Sequence, residues 1–291
     1  MNRSSRILLI IVPVLLLGSS CSSASRVTPP TSHADTIANQ PQGGRSVRLP
    51  DGRSQFIACR GIRAPTVVFE SGLHDDSTQW SSLVDTVSRT HRACRYDRAG
   101  LGASDAAAPT PRGLRRMSDD LLTTLNAAHE AGPFVLVGHS YGGLIVADFA
   151  AHRRSKVAGI VLVDSSTPGQ IALQQQLFPA AVWQQIQAFL QDGPDGVEVA
   201  ATAAESAQLT VGSLGSIPTT VLTAGLADDG LDVLSDAVRA EYLRQVTDQR
   251  GALARLSSAS RSVTVTGASH YIQRDNPAAV INAIKAVVRP G

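Results

Sequence analysis

The apolar run Phe134-Val135-Leu136-Val137 breaks at Gly138-His139-Ser140-Tyr141-Gly142, after which Leu144, Ile145, Ala147 and Phe149 return with helical spacing. A short apolar run followed at once by a helical pattern is a buried strand that turns directly into a helix. So sharp a turn crowds the neighbouring strand and helix, and the positions two before and two after Ser140 are both glycine. The turn holds Ser140 out at the carboxyl end of its strand, where the first N–H groups of the following helix point. Such groups can hold an oxyanion, so Ser140 is a candidate for attack on a carbonyl if a base and an acid exist elsewhere. A glycine-rich turn with an incidental serine has the same spacing, and the rest of the chain decides between them.

From Arg45 onward the pattern is regular. Residues 46–49 and 55–59 alternate about Pro50-Asp51-Gly52, as in a β-hairpin. Residues 66–70 and 92–96 read as strands with a helix over 80–90 between them, and 114–131 reads as a helix with Leu121, Leu122, Leu125 and Ala128 on one face. Strands follow at 157–163, 219–223 and 263–266, and helices at 231–257 and 277–288. Strands alternating with helices imply an α/β fold, a mostly parallel sheet covered on both faces. Residues 165–216 interrupt the alternation with three helix-like stretches carrying Phe178, Trp183 and Phe189. An insertion after the carboxyl end of a strand lies over the active face, so this segment reads as a small helical cap. Its aromatics either wall a site or pack the cap onto the body.

The 291 residues carry a net charge of only +2, with no block of like charge, which excludes the basic surface that nucleic acid requires. No H-E-x-x-H or Cys/His cluster is present, so neither a metal nor a cofactor is implied. At the start, Arg3 and Arg6 precede the apolar residues 7–17, followed by Gly18-Ser19-Ser20-Cys21. That is the layout of an export signal over 1–20, too short for a comfortable membrane span. The cysteine after small residues resembles a bacterial lipoprotein lipobox, with Gly18 where leucine is usual. On that resemblance Cys21 becomes the lipidated first residue of a protein held at the cell membrane. The alternative is an ordinary secretory signal with an unmodified Cys21. Residues 22–44 are rich in Ser, Thr, Pro, Gln and Gly and read as a disordered tether.

Taken together, residues 45–291 resemble the α/β-hydrolase family. The G-x-S-x-G turn is joined by Glu70-Ser71-Gly72-Leu73, similar to its oxyanion loop, and by Asp97-Arg98-Ala99-Gly100-Leu101-Gly102-Ala103-Ser104, similar to its D-x-x-G-x-G-x-S signature. Leu162-Val163-Asp164 resembles the end of its sixth strand, and Gly267-Ala268-Ser269-His270 its histidine loop. The resemblance implies an eight-stranded sheet and an exported serine hydrolase acting on a small ester or amide, a carboxylesterase or lipase-like enzyme. Ser140 would be the nucleophile, His270 the general base, and the N–H groups of Leu73 and Tyr141 the oxyanion hole. For the acid, Asp228 in Gly225-Leu226-Ala227-Asp228 has the usual spacing, with Asp229 and Asp232 close by, and Asp164 is its rival because some relatives place the acid there. An amidase, a peptidase or a cofactor-free haloperoxidase uses the same machinery, and a non-catalytic ligand-binding lipoprotein is the alternative of another class.

His139 is expected to support the turn beside Ser140. His74, near the oxyanion loop, either lines the substrate pocket with Trp183 and Phe178 or is exposed. Asp97 and Arg98 are expected to pin the glycine-rich loop beside them. In the family's usual order the second and fourth strands are neighbours, so Cys59 and Cys94 can form a disulfide, which export permits; the alternative is two buried thiols.

Overall fold

The computed structural model describes residues 43–107, 111–226 and 229–288. The expected signal over 1–20, Cys21, nearly all of the tether and Asp228 lie outside the described residues.

A hairpin opens the domain. Strands β1 (Arg45–Arg48) and β2 (Ser54–Arg60) meet at a turn closed by the Leu49 N–H on the Arg53 carbonyl, 2.8 Å. Next come β3 (Thr66–Glu70), α1 (Ser81–Val87), β4 (Ala93–Tyr96), α2 (Leu114–Ala127), β5 (Phe134–His139), α3 (Tyr141–His152) and β6 (Val157–Val163). After β6 the chain makes three helices, α4 (Gln170–Leu177), α5 (Ala180–Asp192) and α6 (Val199–Ser206), which occupy the stretch expected as the cap. The body resumes with β7 (Thr219–Ala224), α7 (Asp236–Leu253), β8 (Ser260–Val265), α8 (Ile272–Asp275) and α9 (Pro277–Val287).

The eight strands form one sheet in the order β1-β2-β4-β3-β5-β6-β7-β8. β1 and β2 run antiparallel to their neighbours and the remaining pairs are parallel, so the expected α/β architecture is the observed one. The period of two along each strand explains why the central strands are apolar throughout. Val68, Leu136, Ile160 and Leu162 face the side packed by α2 and α3, with Leu121, Leu125 and Ile145. Val67, Val135, Val137, Val161 and Val163 face the side packed by α1 and α9, with Leu83, Val84 and Ile284. Each such fully buried aliphatic side chain stabilises the fold by about 1.5–3 kcal/mol relative to exposure.

Some element bounds differ from those the pattern predicts. The helix expected to reach residue 131 ends at Ala127, because His129 turns left-handed at φ 60°. β8 begins at Ser260, three residues early, and exposes Arg261, Ser262, Val263 and Thr264. It is an edge strand, hydrogen-bonded on one side only, so polar residues are tolerated and hide its start. Residues 229–233 form a short 3-10 turn, and α7 starts after Ser235, whose Oγ accepts from the Val238 N–H. Cys59 and Cys94 face each other across β2 and β4 with Cα atoms 4.1 Å apart, and their sulfurs are bonded.

Candidate active site

The site is built where β5, β6 and β7 end together. Between β5 and α3, Ser140 adopts φ 52° and ψ −124°, a left-handed turn that a non-glycine residue holds only when its surroundings enforce it. Its N–H donates to the Val163 carbonyl on β6 at 3.1 Å, and its carbonyl accepts from Gly143 and Ser166, each at 3.0 Å. The glycines are required by contact: a Cβ on Gly138 would lie 2.6 Å from the Gly142 carbonyl oxygen, and one on Gly142 would lie 2.3 Å from that of Ser71.

Asp164 directly follows β6 with φ 37°. Its N–H donates to the Leu222 carbonyl at 2.8 Å, which turns the carboxylate over the end of β7. There Oδ1 accepts from the Ala224 N–H at 2.9 Å and Oδ2 accepts from His270 Nδ1 at 2.7 Å. Burial pushes the Asp164 carboxyl up, but His270, the nearby Arg250 and the Ala224 N–H outweigh it and hold the group below the usual range. The place on Nδ1 for which sequence spacing ranks Asp228 first is therefore filled by its rival, Asp164.

His270 lies in the loop after β8. Its carbonyl accepts from His139 Nε2 at 3.0 Å, so His139 supports the histidine loop as well as the turn beside Ser140. Burial, with the neighbouring His270, holds His139 well below the ordinary histidine value and keeps it neutral. A carbonyl can only accept, so the single ring proton of His139 is on Nε2. His270 Nε2 is buried and meets no partner among the described residues. Ser140, Asp164 and His270 together line one cavity of about 110 Å³. Near Ser140, the N–H groups of Leu73 and Tyr141 find no acceptor among the described residues.

A profile of the alpha/beta hydrolase fold family matches residues 65–276, a span that contains every one of these groups. The chain belongs to that family. Among curated relatives, a protein named as carbamate hydrolase RutD of Agrobacterium fabrum is 32% identical over 102 residues, which is 35% of this chain and 39% of the relative. The chain thus spans about two fifths of the length of curated relatives such as this one. Among solved structures, a thermophilic esterase from Thermogutta terrifontis superposes with TM-score 0.58 at 22% identity, over 83% of this chain and 96% of the esterase. The enol-lactonase of Burkholderia xenovorans gives TM-score 0.61 at 18% identity, over 84% of this chain and 99% of the lactonase. At such identities the likeness to solved structures concerns the fold.

In this α/β hydrolase the loop after β3 is held from beneath by a buried cation. Arg98 donates to Glu70 Oε1 and to the carbonyls of Ser71 and Gly72, each at 2.6 Å, and also to Asp195 Oδ2 in the cap. Tyr96 donates its hydroxyl to the other oxygen of Glu70, and the His74 N–H donates to Asp195 at 3.1 Å. The pinning role expected of Asp97 and Arg98 is thus present, with Asp97 accepting from the N–H groups of Ser77 and Ala103. Burial drives Glu70 upward in spite of Arg98. The link to the cap was not foreseen. Glu70, a lone carboxylate ending an apolar strand, carried a signal for it; Asp195, in a Gly-Pro-Asp-Gly turn, did not.

None of the three residues expected to line the substrate pocket is among the walls of the cavity beside Ser140. His74 sets its ring against Phe189 of α5 with centroids 4.5 Å apart, Phe178 packs on Tyr242 at 4.9 Å, and Trp183 lies half-buried against the core. His74 and Phe178 thereby hold the cap to the body. The cavity beside Ser140 is walled instead by Leu226 and Leu231 after β7, by Tyr242, Val246 and Arg250 of α7, and by Gln170 of α4. Among the described residues the one cluster with metal-ligand spacing is Cys59, Cys94 and Glu130, and both of its sulfurs are in the disulfide.

Proposed function

We propose that this α/β hydrolase is an exported serine hydrolase that cleaves a small ester through an acyl-enzyme on Ser140, with His270 as general base and Asp164 as the acid. One observation carries the proposal. His270 commits Nδ1 to a carboxylate at 2.7 Å and keeps Nε2 buried, unpartnered and lining the same cavity as Ser140. A carboxylate on Nδ1 fixes the ring proton there and leaves the Nε2 lone pair free to take the proton of Ser140.

The steps then follow from the groups present. Ser140 Oγ bonds to the carbonyl carbon as its proton passes to Nε2, and the carbonyl electrons move onto oxygen between the N–H groups of Leu73 and Tyr141. The tetrahedral intermediate collapses, the carbon–oxygen bond to the leaving group breaks, and His270 returns the proton to that oxygen. Water repeats the sequence and frees Ser140. Loss of one oxyanion donor typically costs about 3–4 kcal/mol of transition-state stabilisation. The names carried by a similar sequence, a carbamate hydrolase, and by two structures of like fold, an esterase and an enol-lactonase, are consistent with a hydrolytic reading. A binding protein without turnover would have no use for a histidine oriented in this way.

Labelling with a fluorophosphonate and mapping the adduct by mass spectrometry tests the assignment. The adduct should lie on Ser140 and vanish in Ser140→Ala; folded protein that resists both small and large probes would sink the proposal. Export with a lipid on Cys21, and a tether reaching residue 44, completes it. Palmitate labelling that survives Cys21→Ser would refute the anchor.

A further inference from the structure

Helix α7 brings one unexpected group to the cavity. Tyr242, Val246 and Arg250 follow one another at four-residue spacing, so one face of the helix lines the space beside Ser140 and His270. The Arg250 side chain is 34% exposed, and among the described residues its nearest carboxylate oxygen is Asp164 Oδ1 at 3.8 Å, beyond hydrogen-bond distance. Asp164 is already engaged by the Ala224 N–H and by His270. The guanidinium of Arg250 donates no hydrogen bond among the described residues. Other arginines in this protein are committed: Arg92 grips both oxygens of Glu130, and Arg115 both oxygens of Asp148. Here a planar cation with five N–H donors stands among Leu226, Leu231, Leu243 and Val246 at the candidate reaction centre.

We propose that Arg250 is a specificity-determining residue and that the substrate is a small ester or lactone bearing a carboxylate, which the guanidinium binds through paired hydrogen bonds. The inference rests on the serine-hydrolase reading and deepens it. A guanidinium fork matches a carboxylate in shape and charge. The cavity holds about 110 Å³, and a second of about 30 Å³ shares Ser166 and Gln170 with it and is lined by Leu73 and Ile171, space that suits a small substrate.

Two matched substrate pairs test this. The mono-para-nitrophenyl ester of glutaric acid against its glutaramide counterpart places the charge on the acyl side; meta-acetoxybenzoate against meta-acetoxybenzamide places it on the leaving group. The readout is the ratio of kcat/KM for the charged and neutral members, because Arg250 also lies near Asp164 and its replacement can change both rates together. Wild type should favour the charged member of at least one pair by about ten-fold or more at low salt, mainly through KM. The ratio should fall towards one in Arg250→Gln, recover partly in Arg250→Lys, and shrink as salt screens the pair. A ratio near one for both pairs in wild type, or a preference unchanged in Arg250→Gln, overturns the proposal. Absence of turnover on all four esters overturns it too, and the presence or absence of the fluorophosphonate adduct on Ser140 then says whether the serine-hydrolase reading falls with it.

Discussion

Asp164→Asn is the sharpest perturbation of the site, because the wild-type hydrogen bonds dictate how an asparagine must sit. Oδ1 of Asp164 accepts from the Ala224 N–H at 2.9 Å and Oδ2 accepts from His270 Nδ1 at 2.7 Å. Asparagine has one acceptor oxygen, and the Ala224 N–H claims it, since a backbone donor has no other tautomer. The amide nitrogen then faces Nδ1 and donates to it. His270 responds by moving its proton to Nε2, the atom that must accept from Ser140. The side chain keeps its shape while the histidine carries the wrong tautomer, a change worth about ten-thousand-fold in a serine-protease triad, or roughly 5.4 kcal/mol at 1.36 kcal/mol per decade. We expect Asp164→Asn to slow fluorophosphonate labelling and ester hydrolysis by about a thousand- to ten-thousand-fold, with an unchanged circular dichroism spectrum. Asp228→Asn, assayed beside it, should stay within a few-fold of wild type. Labelling of folded Asp164→Asn within ten-fold of wild type would refute the tautomer mechanism, and a large loss in Asp228→Asn would return the acid to the loop after β7.

Four further outcomes are expected. Arg98→Met leaves Glu70 and Asp195 as unpaired buried carboxylates and should cost about 3–5 kcal/mol in urea unfolding, whereas Arg60→Met, which loses a half-exposed pair with Asp85, should cost under about 1 kcal/mol; equal effects would contradict the buried clamp. Replacing Cys59 and Cys94 together by alanine frees a closed loop of 35 residues and should cost about 3–4 kcal/mol, read as a lower urea midpoint that matches wild type under reductant. Because Asp164 is held below its unfolded value, its contribution to stability is complete above the ordinary aspartate value of about 3.9 and is lost as pH falls through the folded value; the stability gap between wild type and Asp164→Asn should therefore narrow below about pH 4, and a constant gap in urea titrations would contradict it. Gly251 lies inside α7 with open space where a Cβ would go, so Gly251→Ala should stabilise by roughly 0.5–1 kcal/mol in the same assay, and a loss would mean that the helix end is not as described.

Much of the fold was legible because central strands of a parallel sheet have no polar face to disguise them. Residues 66–69, 134–137 and 157–163 read as apolar runs and became β3, β5 and β6 with both faces buried. Where one side of a strand is free, as in β8, the pattern thinned and the start was missed. Gly138 and Gly142 were legible for another reason: the glycines mark places where backbone meets backbone, and the carbonyl oxygens now found 2.6 and 2.3 Å from any added Cβ are what they avoid. The acid was not legible. Asp164 and Asp228 both follow strand ends, and the choice depends on the left-handed turn at Asp164 and a hydrogen bond from Ala224, neither of which composition records.

The pocket wall shows most clearly where sequence pattern stops. Aromatics in an inserted cap attract notice, yet Phe178 is buried against Tyr242 and Trp183 half-buried against the core, because large apolar surfaces gain most by packing. Helix α7 looks like an ordinary solvated helix, since it carries three arginines and three carboxylates among its eighteen residues. Only its position over the end of β7 turns Tyr242, Val246 and Arg250 towards Ser140. Two elements then meet at the cavity: the cap is tied to the loop after β3 through Asp195 and Arg98, while α7 walls the space beside Ser140. Substitutions in α5 should therefore reach turnover through the position of Leu73, affecting all substrates alike, and substitutions along the Tyr242–Arg250 face should change which substrate is preferred.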